Sequence, residues 1–231
     1  MEKREQEEYR YERKFLITGH SHKDIENILK LHPAAFSEVF SRRTVNNIYF
    51  DSLGLDNYYD NLDGAPDREK MRIRWYGELF GVNTAPILEY KIKKKLLGKK
   101  NSYPLLPFEV GNNLSRESIR NALIFAPEEV KRQLMSVYPV LLNSYSRNYF
   151  MSADKKFRVT IDINLSFYRI GYGRNLFLNK LVDKESVVME LKYDHSSEEE
   201  ANEVASEFPF PLSKNSKYQR GIQAVYDCGI V

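Results

Sequence analysis

Cations and carboxylates recur at alternate positions along this sequence. The cations are Arg10, Lys14, Lys70, Arg72, Arg74, Lys91, Lys93, Arg147, Arg158 and Lys192; the acids among them are Glu12, Glu89, Asp162 and Glu190. Guanidinium forks and ammonium groups bind phosphate oxygens directly. Carboxylates set among them act either as salt-bridging spacers or as ligands for Mg²⁺ or Mn²⁺, hard cations that take oxygen donors and bridge to phosphates. Glu190, with Glu12 at a comparable strand position, is the preferred metal pair; Glu12, Glu89 and Asp162 read equally well as spacers. No nucleophile elbow, P-loop or dinucleotide fingerprint is present, and Gly171-Tyr172-Gly173 is a lone turn signal. His20, His22, His32 and His195 are scattered without ligand spacing and receive no role.

These residues need strands to sort them. Leu88-Glu89-Tyr90-Lys91-Ile92-Lys93-Lys94 alternates cleanly, with Leu88, Tyr90 and Ile92 on one face and the charges on the other. The same pattern predicts strands over 9–17, 70–76, 141–151, 157–167 and 186–194, and a further strand at 45–51. Ser21 reads as the N-cap of a helix with Ile25, Ile28 and Leu29 at helical spacing. Short helices are expected over 53–62, 115–125, 127–137 and from Ser196 to about Phe208, with a last helix-like segment from Ser216. The segment ending at Val110 contains Pro104 and Pro107, which argue against a regular central strand. Seven or eight strands with inserted helices read as α+β with a mainly antiparallel sheet.

Two arrangements fit the charged faces. A half-exposed sheet would solvate them. Alternatively, the apolar faces lie outside under the helices and the charged faces line a tunnel. So many cations could converge only around an anionic partner, because burial and mutual repulsion would otherwise be too costly.

Composition narrows the field. Of 231 residues, 42% are hydrophobic and 13% aromatic, ample for a core. The net charge of +3 is too small for a chain that simply coats nucleic acid. The aromatics lie mostly opposite the cations, which argues against a base-stacking platform. One cysteine, Cys228, excludes an intrachain disulfide and fits a reducing compartment. No run is apolar enough to span a membrane, and the polar start is not a signal peptide. The expectation is a cytoplasmic protein with a charged leader over 1–8 and a single domain over 9–231.

Several motifs occur in a recognisable order: Arg10-Tyr11-Glu12-Arg13-Lys14, Tyr49-Phe50-Asp51, Arg72-Ile73-Arg74, Glu89-Tyr90-Lys91, Arg147-Asn148-Tyr149, Arg158-Val159-Thr160-Ile161-Asp162, Glu190-Leu191-Lys192 and Ser216-Lys217-Tyr218. Together they resemble the VTC domain, the polyphosphate-polymerase domain within the triphosphate tunnel metalloenzyme (CYTH-like) superfamily. The resemblance runs from about Tyr9 to Ile222. It implies an eight-stranded, mainly antiparallel β tunnel with a charged interior and helices packed outside. It also implies an enzyme that binds ATP or polyphosphate with Mn²⁺ or Mg²⁺ and transfers the terminal phosphate of ATP to a polyphosphate chain. Carried over by motif, Lys14, Arg72, Arg74, Lys91, Arg147, Arg158 and Lys192 would hold phosphates at the catalytic centre, with Lys217 closing over them. Arg10, Tyr49 and Lys93 would add substrate contacts, and Glu190 and Glu12 would hold the metal.

One departure matters. Hydrolase branches of the superfamily typically begin Glu-x-Glu-x-Lys, whereas this chain has Arg10-x-Glu12-x-Lys14. That tilts the site toward phosphate binding and the VTC branch. A triphosphatase of the same fold and a non-catalytic polyanion-binding module remain as alternatives. The resemblance also admits a membrane-protein partner; the oligomeric state is left open.

Overall fold

A computed structural model of the chain describes residues 10–94, 97–171 and 175–226. The expected leader, Cys228 and most of the Gly171-Tyr172-Gly173 turn lie outside the described residues.

Among the described residues, eleven strands and six helices follow one another in mixed order. The strands are β1 (Arg10–Ile17), β2 (Ser37–Asp51), β3 (Arg68–Tyr76), β4 (Gly81–Asn83), β5 (Ile87–Lys94), β6 (Leu97–Pro104), β7 (Phe108–Val110), β8 (Tyr138–Met151), β9 (Arg158–Arg169), β10 (Lys180–Asp183) and β11 (Val187–Asp194). The helices are α1 (His22–Leu31), α2 (Asp56–Leu62), α3 (Arg116–Ala122), α4 (Glu128–Met135), α5 (Glu198–Ser206) and α6 (Lys217–Val225). The main sheet has nine strands in the order β1-β11-β9-β8-β2-β3-β5-β6, with β10 beside β9; β4 and β7 form a separate ribbon. Each resolved register is antiparallel. The α+β reading holds. The eight-strand count does not, and no closed barrel is found among the described residues.

Several local expectations shift. Strand β2 begins at Ser37 rather than Val45, and its first seven residues are exposed. Polar, glycine-containing β6 was not read as a strand; it is an end strand of the sheet path and stops at Pro104, where a missing N–H costs least. Ser196 does not cap α5 but lies in the 3₁₀ turn His195–Ser197 before it. The α1 cap is as expected. The Ser21 side chain accepts from the Asp24 N–H, and the Asp24 carboxylate accepts the Ser21 N–H at 2.9 Å. Helix α2 solves its start differently. Leu55 at its N-cap offers no side-chain acceptor, so the Asp51 carboxylate takes the N–H groups of Asn57 and Tyr58 at 2.9 and 3.0 Å.

The chain divides into two compact units. The first comprises residues up to Arg42, Arg147–Asn164 and Lys184–Asn215. There the apolar faces of β1, β9 and β11 (Phe15, Val159, Ile161, Met189 and Leu191) are buried with Ile25 and Leu29 of α1 and Ala201 and Ala205 of α5. The second comprises Arg43–Ser146, Leu165–Asp183 and the chain from Ser216. There Ile48, Ile73, Trp75 and Leu88 are buried with Ile119 of α3 and Val130 and Leu134 of α4. In both units the helices cover the apolar strand faces and leave the charged faces on the other side. Burying a Leu, Ile or Phe side chain contributes about 1.5–3 kcal/mol, so the apolar face decides where the helices sit.

Helix α6 docks through Gly221. A Cβ there would lie 2.5 Å from Leu141 Cδ2 and 2.6 Å from Phe167 Cδ1, both on fully buried side chains. Gly221→Ala should therefore lower stability by about 1–2 kcal/mol in urea unfolding, since overpacking outweighs the gain in helix propensity. A variant as stable as wild type would mean that α6 can shift without cost.

Candidate functional site

In the second unit the charged face is built by β2, β3, β5 and β6. Antiparallel pairing sets Arg72 opposite Glu89, and Lys70 opposite Lys91, which in turn faces Lys100. Three lysines thus lie abreast on one sheet face. Like charges directly opposite destabilise a sheet. Among the described side chains of β3, β5 and β6, this face carries Arg68, Lys70, Arg72, Arg74, Lys91 and Lys100, with Glu89 as its one carboxylate.

Glu89 is consequently crowded by cations. Arg72 Nε and Nη2 both lie 2.6 Å from its Oε2, Lys100 Nζ lies 2.5 Å from Oε1, and Arg74 Nη1 stands 3.8 Å away. Burial alone would raise its carboxyl, but Arg72, Arg74 and Lys100 overcome burial and hold it at about 2. Arg72, half-buried beside the Tyr49 hydroxyl and Glu89, is held even more firmly protonated than an ordinary guanidinium.

Neutral acceptors orient the arginines. Arg72 Nη1 donates to the Tyr49 hydroxyl at 3.5 Å, and Arg74 donates to Asn47 Oδ1 at 3.1 Å and the Tyr145 hydroxyl at 3.5 Å. Lys217, at the start of α6, places its ammonium 4.9 Å from the centre of the Tyr145 ring. Its neighbour Tyr218 donates its hydroxyl to Asp51 and packs against Tyr49, with ring centres 5.2 Å apart. Asp51 is fully buried. The carboxylate that caps α2 therefore also anchors the residue next to Lys217.

The first unit carries a different face, formed by β1, β11, β9 and the end of β8. Here acids and bases nearly balance. Register sets Glu12 opposite Lys192, and Lys14 opposite Glu190. Lys14 Nζ lies 2.9 Å from Glu12, and Lys192 Nζ lies 3.2 Å from Glu190. Arg147 forks onto Asp162 through Nε at 2.5 Å and Nη2 at 2.6 Å, and reaches Glu190 at 3.4 Å. Arg158 is exposed beside Lys192 on the neighbouring strand.

Glu12 and Glu190 are diagonal neighbours across β1 and β11, close enough that Glu190 opposes the ionisation of Glu12. Burial also acts against it, yet Lys14 and Lys192 hold the Glu12 carboxyl below its usual range. Two carboxylates on adjacent strands supply the oxygen donors that a hard divalent cation takes. No cluster of three or more His, Cys, Asp or Glu is found among the described residues.

The expected site residues thus fall on two faces. Lys14, Arg147, Arg158, Lys192, Glu12 and Glu190 lie in the first unit, and Tyr49, Arg72, Arg74, Lys91 and Lys217 in the second. The side chains of Arg10 and Lys93 lie outside the described residues. Sequence reasoning missed Lys100, because β6 lacks an apolar alternation, and Asn47, whose uncharged side chain did not stand out. A Gly98 hairpin returning a Lys-rich segment against β5 was the available signal for Lys100.

The acid response of Glu89 follows from its low folded value. Its contribution to stability is complete above its ordinary 4.5 and is lost as pH falls toward about 2. Glu89→Gln should lower stability at pH 7 by about 1–3 kcal/mol and flatten the loss between pH 4.5 and 2. Urea unfolding at pH 7 and pH 3 measures this; equal pH slopes in both proteins would refute it.

Comparisons with known proteins come from family and structure. None of the curated proteins matches this sequence. An adenylate cyclase-like protein of Vibrio parahaemolyticus is similar in fold, with a TM-score of 0.51 and 12% identity over 94% of this chain and 99% of that one. A second adenylate cyclase-like protein, from Bacillus halodurans, gives a TM-score of 0.51 and 16% identity over 92% of this chain and 97% of that one. At such identities the likeness speaks for the fold alone. The family model described as the VTC domain matches residues 9–226. With nearly its whole length matched, the chain belongs to the VTC domain family.

Proposed function

We propose that this protein binds ATP and polyphosphate on its charged strand faces and transfers the terminal phosphoryl group of ATP to a polyphosphate chain. The observation that carries this reading is the row Lys70–Lys91–Lys100 beside Arg72 and Arg74, with Glu89 as the one carboxylate among them. A face so rich in guanidinium and ammonium groups suits the oxygens of a polyanion. The family match runs through residues of both units.

The two faces suit different tasks. Lys70, Arg72, Arg74, Lys91, Lys100 and Lys217 hold and orient phosphates. Arg72 and Arg74 are held in place by Tyr49, Asn47 and Tyr145, so little reorganisation is needed when charge builds up. On the other face, Glu190 and Glu12 would hold Mn²⁺ or Mg²⁺. When bound, the cation supplies Lewis-acid neutralisation of the triphosphate. Lys14, Arg147, Arg158 and Lys192 surround those carboxylates and take up negative charge as the oxygen bridging the β- and γ-phosphorus departs with ADP. The attacking oxygen is the terminal oxygen of polyphosphate. It is already ionised near neutral pH, so no general base is required of the protein. Positioning and charge neutralisation carry the chemistry.

Arg10 in place of an acid favours transfer over hydrolysis, since it leaves one carboxylate fewer for a second metal. No helix among the described residues is long and apolar enough to cross a membrane.

Incubation with ATP and Mn²⁺, with and without a short polyphosphate primer, and resolution of products by chain length tests the reading. A lengthening ladder is expected, and Glu190→Gln should abolish it while triphosphate still binds. Orthophosphate without a ladder would make the protein a triphosphatase, and binding without turnover a polyanion receptor. Arg74→Ala should weaken tripolyphosphate binding by about 10- to 100-fold, the loss of a charge-assisted contact worth roughly 1.5–3 kcal/mol.

A further inference from the structure

The charged face of β9 runs Arg158, Thr160, Asp162. Its two charged members are accounted for: Asp162 holds the Arg147 fork, and Arg158 is exposed beside Lys192. Thr160 is not. It is 4% exposed, and its Oγ1 is buried with no hydrogen-bond partner among the described residues. A buried hydroxyl without a partner is destabilising, and few polar groups in folded proteins are left so. Valine has the same branched shape and would fill the position without that cost.

Register identifies what the hydroxyl faces. Thr160 lies opposite Glu190, one of the two carboxylates suited to a divalent ion. Directly opposite residues of an antiparallel pair share a face with Cβ atoms about 5 Å apart. Glu190 is itself engaged by Arg147 at 3.4 Å and Lys192 at 3.2 Å. The next pair along the same face is Lys192 opposite Arg158. A donor here therefore stands beside a carboxylate already engaged by cations, one register step from Lys192 and the exposed Arg158. A group that accepts from this hydroxyl and is also drawn by Lys192 and Arg158 is an oxyanion.

We infer that the Thr160 hydroxyl is a phosphoryl-binding donor, hydrogen-bonding an oxygen of the triphosphate or polyphosphate beside Glu190. The inference rests on the triphosphate reading above and adds to it a neutral contact that no charge pattern reveals. Thr160 fixes where one phosphoryl oxygen sits, while the surrounding cations supply attraction without direction. A hydroxyl that was purely structural would stabilise the fold and leave ligand binding alone; a ligand donor does the reverse.

The test is tripolyphosphate binding by calorimetry to wild type, Thr160→Val and Thr160→Ser, in EDTA and in Mn²⁺, with thermal unfolding of each free protein. Thr160→Val should bind roughly five- to tenfold more weakly in both conditions, as loss of one hydrogen bond to a charged acceptor requires. Its free form should melt no lower than wild type, and Thr160→Ser should bind within about twofold of wild type. Unchanged binding by Thr160→Val would overturn the inference and leave the hydroxyl to an ordered water. Weakening in Mn²⁺ but not in EDTA would also overturn it, assigning the hydroxyl to a water on the cation instead. Lower melting of free Thr160→Val together with equal binding would make the residue structural. A wild type that binds no tripolyphosphate in either condition would remove the triphosphate reading itself, a result distinct from the other three.

Discussion

Like charges that must share one strand face are the constraint on which this structure depends. Lys70, Lys91 and Lys100 lie abreast on three neighbouring strands, one register step from Arg72 and Glu89. Alternation leaves them no other face, because Met71, Ile73, Leu88 and Tyr90 occupy the opposite one and are buried in the core. The apolar burial that holds each helix on its strands therefore also compels the cations together. Glu89 relieves part of the repulsion, and its strongly lowered carboxyl value records how much positive charge surrounds it.

The first unit meets the same constraint with an internal answer. On its charged face three cations have an acid close by, Lys14 with Glu12, Lys192 with Glu190, and Arg147 with Asp162. Acids and bases there nearly balance, and Glu12 is held below its usual range by Lys14. The two units therefore present faces of different character, one strongly basic and one mixed.

Neutral side chains do much of the orienting. Asn47, Tyr49 and Tyr145 aim the arginines of the second unit, and the buried Asp51–Tyr218 pair ties the start of α6 to the end of β2. Gly221 lets that helix approach Leu141 and Phe167. Such residues do not alternate in charge, so a pattern search passes over them, although they decide whether a guanidinium points at a ligand or into solvent.

The sequence by itself determined which residues share a face. Side-chain alternation in strands is a property of the backbone, so Arg72 with Arg74, Glu89 with Lys91, and Glu190 with Lys192 were legible as sets, as were the Ser21 cap and the order of motifs that marks the VTC family. Tertiary structure decided which sets meet. Register placed Lys100 in the lysine row, set Glu12 diagonal to Glu190, and brought Thr160 opposite Glu190. It also made Asp162 the partner of Arg147, and made Asp51 at once the cap of α2 and the anchor of α6. Pairing between strands far apart in sequence depends on loop lengths, edge positions and the packing of whole faces. A local pattern carries no information about these.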